Sequence, residues 1–147
     1  MSQRASTSYL AGKVCLVTGA SRGIAKEIVR GLAQRGATVV MVSRDVARLE
    51  AARAELLEEM HGPGGANGGA GEALYALPTD LSLMAEVRRL ADQVQTRFDR
   101  LDVLVNNAGV TPEGLEVALA VNYLSMFLLT HLLLDRLRQS APRGSST

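Results

Sequence analysis

Apolar positions along this chain follow two alternating rhythms, an unbroken run and then a helical spacing. Val14 to Thr18 is a continuous stretch of apolar and β-branched residues, which predicts a strand buried on both faces. Gly19 opens a turn, after which Ile24, Ile28, Val29, Leu32 and Ala33 share one face of a helix closed by Gly36. Thr38 to Ser43 repeats the strand pattern, and Asp45 is placed to cap a second helix with the stripe Val46, Leu49, Ala52, Leu56 and Met60. His61 to Gly71 holds six glycines and one proline, so residues 62–71 are expected to form a flexible surface loop. Ala73 to Leu77 predicts a third strand, which Pro78 can only end. Ser82 is expected to cap a helix with Leu83, Val87, Leu90, Val94 and Phe98 on one face, and Leu101 to Val105 predicts a fourth strand. Gly114 to Gln139 predicts a long final helix. Its segment Val117 to Leu134 is apolar almost all round, but Asn122, Ser125, Thr130 and His131 interrupt it, which argues for burial on two sides rather than a membrane span.

Strands alternating with helices of this length predict an α/β fold, a doubly wound parallel sheet of the Rossmann kind with strand order 3-2-1-4. At 147 residues the chain is long enough for one core, so a single domain is expected, ordered over 10–142 with a polar tail at 140–147. The 16 basic and 15 acidic residues leave a net charge of +1, which points away from nucleic acid or an anionic membrane surface as partner. The single cysteine, Cys15, lies within the first strand and reads as a buried small hydrophobe. Residues 1–12 are polar, without a signal-peptide core, so a cytoplasmic location is expected. His61 and His131 are isolated histidines, read as packed or solvated residues rather than bases or ligands, and no metal is expected.

The turn after the first strand carries the chemistry. In VCLVTGASRGIA, Val14 to Ala25, the spacing Gly19, Gly23, Ala25 is a lengthened relative of the dinucleotide fingerprint. Gly19 allows the turn, Gly23 lets backbone approach a pyrophosphate, and a small third residue lets helix and strand pack closely. The helix start then offers free N–H groups and the positive end of its dipole to phosphate. Three further motifs follow in order: TDLS at Thr79 to Ser82, NNAG at Asn106 to Gly109, and VNYLSMFLLT at Val121 to Thr130.

Together these four motifs resemble the short-chain dehydrogenase/reductase family, and the run FLLTHLLLDRLRQSAP is similar to its retinol dehydrogenase-like branch. The resemblance spans Leu10 to Pro142. It implies that Gly19, Ser21, Arg22, Gly23 and Ile24 cradle the pyrophosphate and ribose, that Asp80 and Leu81 contact adenine, and that Asn107, Ala108 and Gly109 lie behind the adenosine ribose. Asn106 is read instead as a tie between neighbouring strands. Ala25 stands where the family more often has glycine, and its methyl is expected to cost about 1 to 3 kcal/mol at a tight helix-strand contact if the backbone cannot shift.

Charge decides between the two nicotinamide cofactors. An NAD site wants a carboxylate about twenty residues beyond the glycines, to receive the ribose 2′-hydroxyl, and an NADP site wants a cation there. Here the second strand ends at Ser43 and Arg44, so Arg22 and Arg44 are expected to converge on a 2′-phosphate, and NADP is preferred over NAD. In the alternative, Asp45 takes one of these arginines into a surface ion pair and leaves selectivity unset.

The resemblance also implies hydride transfer between nicotinamide and a carbonyl or alcohol, with a tyrosine as acid/base, a lysine one helical turn later lowering its pKa, a serine orienting substrate and an asparagine holding a proton-relay water. Asn122 matches the asparagine. The spacing Tyr9 to Lys13 fits by letter only, because Gly12 precedes the first strand, and Ser145 and Ser146 lack a preceding apolar strand. The chain is therefore read as the N-terminal, cofactor-binding part of an NADP-preferring oxidoreductase of a hydrophobic small molecule, ending before the catalytic serine and the Tyr-Lys pair. The rival reading is a catalytically silent nucleotide-binding or interaction module. Under either reading, without a fifth strand Leu101 to Asn106 is expected to form a sheet edge and the final helix to lack part of its cover, so self-association, through residues 114–139, or instability is expected. Size-exclusion chromatography with an apolar-surface dye should show association or dye binding; a compact, non-binding monomer would contradict it.

Overall fold

The computed structural model describes residues 9–61, 73–107 and 124–142. Its strands are β1 (Val14–Thr18), β2 (Thr38–Ser43), β3 (Leu74–Pro78) and β4 (Val103–Val105), and its helices are α1 (Gly23–Gln34), α2 (Val46–His61), α3 (Met84–Arg97) and α4 (Ser125–Ser140). All strand pairings are parallel, in the order β3-β2-β1-β4, with Leu16 opposite both Val40 and Leu104. This is the expected doubly wound order.

Alternation of side chains along each strand sorts the core into two layers. Val14 and Leu16 of β1 and Val40 and Val42 of β2 face Val87, Leu90 and Val94 of α3 and Leu129 and Leu133 of α4. Cys15, Val17, Val39 and Met41 face the other way, onto Ala25, Val29 and Ala33 of α1 and Leu49, Ala52 and Leu56 of α2. A strand sandwiched in this way has no polar face, which is why β1 is buried along its whole length. Burial pushes the Cys15 thiol up to about 11, with the Asp102 charge adding to it, so this cysteine is an inert core residue.

Several expected details shift. Helix-opening residues escape the stripes assigned to them: Ile24, Val46 and Leu83 are exposed, because the first turn of each helix projects past the layer it packs on. Ser82 does not cap α3; its N–H and hydroxyl both donate to Asp80 Oδ1, at 3.0 and 2.6 Å, and Leu83 occupies the cap position. Asp45 does cap α2, accepting the Arg48 N–H at 3.0 Å. The third strand runs one residue later than expected, and β4 is shorter, although Leu101 before it is fully buried. His61 ends α2 rather than opening the glycine-rich loop, and Ser140 ends α4 rather than opening the tail. The expected loop over 62–71 lies outside the described residues, as do the start of the long helix and the tail beyond 142.

Among the described residues, helix α4 is covered on one side. Leu129 and Leu133 are buried against α3, and Gln95 Nε2 donates to the Leu132 carbonyl at 2.8 Å. On the other side Leu124 and Phe127 are exposed, the latter at 74%, with His131 stacked on Phe127. Among the described strands β4 pairs only with β1, and no described helix is long and apolar enough to cross a membrane.

The far edge of β1 is pinned by Asp102. Its Oδ2 accepts the Val14 N–H at 2.8 Å, its own N–H donates to the Val14 carbonyl at 2.8 Å, and Arg100 pairs with both carboxylate oxygens. Burial alone would raise this carboxyl, but the hydrogen bonds from Arg100 and Val14 and the charges of Arg100 and Lys13 outweigh it and hold it below the usual carboxylate range. A depressed folded-state pKa stabilises the fold above the unfolded value of about 3.9, and that contribution is lost as pH falls through it toward the folded value. Asp102→Ala should lower unfolding free energy by about 2 kcal/mol at pH 7, with the gap to the parent narrowing below pH 4 in urea titrations. An equal gap at both pH values would contradict this.

Candidate functional site

Parallel strands end together, so the sheet's carboxyl edge collects the loops leaving β1, β2, β3 and β4. Between these loops lies a cleft of ≈ 610 Å³. Its walls bring together Gly19, Ser21, Arg22, Gly23 and Ile24 from the first loop, Arg44 from the second, Asp80 and Leu81 from the third and Asn107 from the fourth. Every described residue assigned to cofactor from the sequence therefore borders one cavity. Ala108, Gly109 and Asn122 lie outside the described residues.

The first loop is shaped by two left-handed glycines, Gly19 at φ 66° and Gly23 at φ 64°. A side chain at Gly23 would meet no atom within 4 Å, so the backbone there faces open space within reach of a ligand. Arg22 occupies the cap position of α1 with an extended backbone, no side chain caps the helix, and its first turn holds no acid. The first hydrogen bond of α1 runs from the Lys26 N–H to the Arg22 carbonyl at 3.4 Å. The amides of Gly23, Ile24 and Ala25 thus have no acceptor within the helix. Bare donors at the positive end of a dipole are what an anion binds. Ser21 and Ser43 share a hydrogen bond of 3.1 Å, and the Ala20 N–H donates to the Val42 carbonyl at 3.0 Å, which lock this loop onto the end of β2.

The second loop supplies charge. Arg22 and Arg44 are exposed and make no ion pair among the described residues. Asp45, expected in the alternative reading to neutralise one of them, instead faces Arg48, with Oδ2 3.6 Å from Nε. The reason is local: Asp45 caps α2, and position 48 is the next residue on the same helical face. Arg48, Asp45, Ser43 and Thr79 also border the cleft and were not assigned to it from sequence. Arg48 lies in the first turn of α2, where a charge by itself reads as a solvated face, whereas Thr79 opens the TDLS motif and is a buried residue whose hydroxyl donates to the Leu77 carbonyl at 3.1 Å.

Third and fourth loops close the cleft with polar groups. Asp80 is held by its bonds to Ser82, and Thr79 donates its N–H to the Ser43 carbonyl at 3.0 Å, joining the ends of β2 and β3. The Asn107 N–H donates to Thr18 Oγ1 at 2.9 Å, and Thr18 Oγ1 donates to the Val105 carbonyl at 3.3 Å, joining β1 to β4. Thr18 thus does the strand-tying work expected of Asn106. Asn106 instead donates from Nδ2 to Thr130 Oγ1 on α4 at 3.0 Å, because its side chain leaves β4 toward the helix layer rather than along the sheet. The Ala25 methyl lies fully buried among Cys15, Val17 and Val29 and does not border the cleft, so the packing cost expected for it falls within the core.

Tyr9 and Lys13 sit at the opposite, amino end of β1, where Tyr9 is exposed and Lys13 Nζ lies 3.8 Å from Asp102 Oδ1, so they take no part in the cleft. His61 and His131 are both exposed and away from it.

The sequence matches the family model described as short chain dehydrogenase over residues 13–145. Among curated proteins it is 41% identical to retinol dehydrogenase 12 of Bos taurus over 140 residues, 90% of this chain and 42% of that protein. It is 40% identical to retinol dehydrogenase 11 of Homo sapiens over 144 residues, 93% of this chain and 42% of that protein. The chain thus spans about two-fifths of the length of the curated relatives it matches. Among solved structures, the RhlG/NADP active-site complex of Pseudomonas aeruginosa superposes with a TM-score of 0.74 at 35% identity, covering 94% of this chain and 53% of that one. A metagenomic short-chain oxidoreductase in complex with NADP gives 0.73 at 34%, covering 86% and 57%.

Proposed function

The chain belongs to the short chain dehydrogenase family, and on that premise we propose that it forms the NADP-preferring, cofactor-binding half of an oxidoreductase acting on a hydrophobic carbonyl or alcohol. The observation that carries the cofactor reading is the combination in one cleft of an acid-free helix start, whose Arg22 cap position makes no side-chain cap bond, with two arginines, Arg22 and Arg44, that make no ion pair among the described residues. A dinucleotide diphosphate fits both features: the Gly23 and Ile24 amides bind the pyrophosphate, and the forked guanidinium groups of Arg44 and Arg22 bind the 2′-phosphate. The NADP named in the RhlG and metagenomic oxidoreductase structures supports the same preference.

In this reading Asp80 and Leu81 hold the adenine, and Asn107, Ala108 and Gly109 back its ribose. Bound nicotinamide supplies the site that accepts or gives hydride. By the same resemblance Asn122 is assigned to hold a proton-relay water. The substrate class rests on relatives named retinol dehydrogenase, a name that describes oxidation of a hydrophobic alcohol.

A second reading, a nucleotide-binding module without turnover, is favoured by one observation: Tyr9 and Lys13 lie at the wrong end of β1 to meet anything in the cleft. Titration by cofactor fluorescence tests the binding claim and a turnover assay separates the two readings. The parent chain should bind NADPH more tightly than NADH, and Arg44→Ala should weaken NADPH by about tenfold or more, as for loss of a charged hydrogen bond, while leaving NADH within about twofold. Equal affinities, or an Arg44→Ala effect shared by both cofactors, would overturn the preference.

A further inference from the structure

The end of β2 and the first turn of α2 place one carboxylate, Asp45, and one further guanidinium, Arg48, on the rim of the same cleft, paired with each other. Asp45 divides its oxygens. Oδ1 accepts the Arg48 N–H at 3.0 Å and caps α2, while Oδ2 stands 3.6 Å from Arg48 Nε, near enough to attract it and too far for a close hydrogen bond. Both side chains are more than half or about half exposed, at 64% for Arg48 and 50% for Asp45, so solvent screens the pair and the guanidinium is held loosely. Arg22 and Arg44 line the same cleft and have no such partner among the described residues.

We infer that Asp45 and Arg48 form a selectivity pair, in which Asp45 draws Arg48 back onto the first turn of α2 when no 2′-phosphate is present and releases it to a 2′-phosphate that enters the cleft. The inference rests on the proposed dinucleotide reading and refines it. A phosphate monoester near neutral pH carries between one and two negative charges and three acceptor oxygens, and it outcompetes a single carboxylate oxygen at 3.6 Å for a guanidinium fork. Asp45 acts in two directions. Its charge opposes a 2′-phosphate directly and by occupying Arg48, and its free oxygen is the acceptor on this rim that a ribose 2′-hydroxyl can use. The pair therefore narrows the gap between NADPH and NADH, and Asp45 is a positioning residue that works on the phosphate through Arg48.

The test is equilibrium titration of the parent, Asp45→Asn, Arg48→Gln and the double variant with NADPH and with NADH, read by cofactor fluorescence at low and at physiological salt. Asparagine retains the helix cap, so Asp45→Asn keeps the fold, which thermal melting checks. Asp45→Asn should tighten NADPH by about two- to fivefold and weaken NADH, Arg48→Gln should weaken NADPH by about fivefold with little change in NADH, and the NADPH gain from Asp45→Asn should be clearly smaller in the Arg48→Gln background than in the parent. If Asp45→Asn tightens NADPH equally with and without Arg48, Asp45 acts by repulsion alone and the pair is overturned. If neither single variant moves the NADPH-to-NADH ratio while Arg44→Ala still abolishes it, the pair fails and the cleft reading stands. If the parent binds neither cofactor, both fail together.

Discussion

Three backbone amides at the start of α1 have nowhere within the helix to donate, and the neighbouring structure holds them in that state. No side chain caps the helix, no acid sits in its first turn, and Gly23 is left-handed where any other residue would be strained. Ordinary helices relieve such a terminus with serine, threonine or aspartate at the cap, as Asp45 does for α2. Here the cap position holds Arg22, which adds positive charge to a terminus already positive. Such a terminus has the donors and the charge that suit an anion. Its rigidity comes from behind: β1 is buried throughout between two helix layers, and the Ser21–Ser43 and Ala20–Val42 bonds lash the loop to the next strand.

Sheet topology then decides what else reaches that terminus. Because β2 lies beside β1 in register, with Thr18 opposite Val42, Arg44 borders the same cleft as Arg22 although they are far apart in sequence. The third and fourth strands deliver Asp80 and Asn107 to the same edge, tied by Thr79 and by Thr18. At the other end of the sheet Asp102, Arg100 and Lys13 make a separate ion cluster that fixes β1 against β4. One edge is built for stability and the other is left open, which is the usual division in open α/β sheets.

Much of this was legible in the chain itself. Strands announce themselves where both faces are buried, since Val14 to Thr18 and Val39 to Val42 can be nothing else, and the order of glycine, TDLS and NNAG motifs already pointed to one cleft. What the sequence could not show was how short polar side chains choose among nearby donors. Ser82 looks like a cap by position but is taken by Asp80, and Asn106 looks like a sheet tie but reaches Thr130 on α4, leaving Thr18 to join the strands. Arg48 was hidden for a different reason: a charge on an amphipathic helix normally means a solvated face, and only the turn of α2 relative to the cleft brings it to the rim. Helix-opening apolar residues such as Ile24 mislead in the same way, because periodicity assigns a face without saying where the packing layer begins.

The most direct test is calorimetric titration with two nicotinamide-free probes, ADP-ribose and its 2′-phosphorylated form, since these read the cleft described here without the half that performs chemistry. The account predicts that both bind, that the 2′-phosphorylated probe binds more tightly, and that its advantage shrinks as salt is raised. Well-folded protein that gives no heat with either probe, or that binds both with the same affinity at low salt, would contradict it.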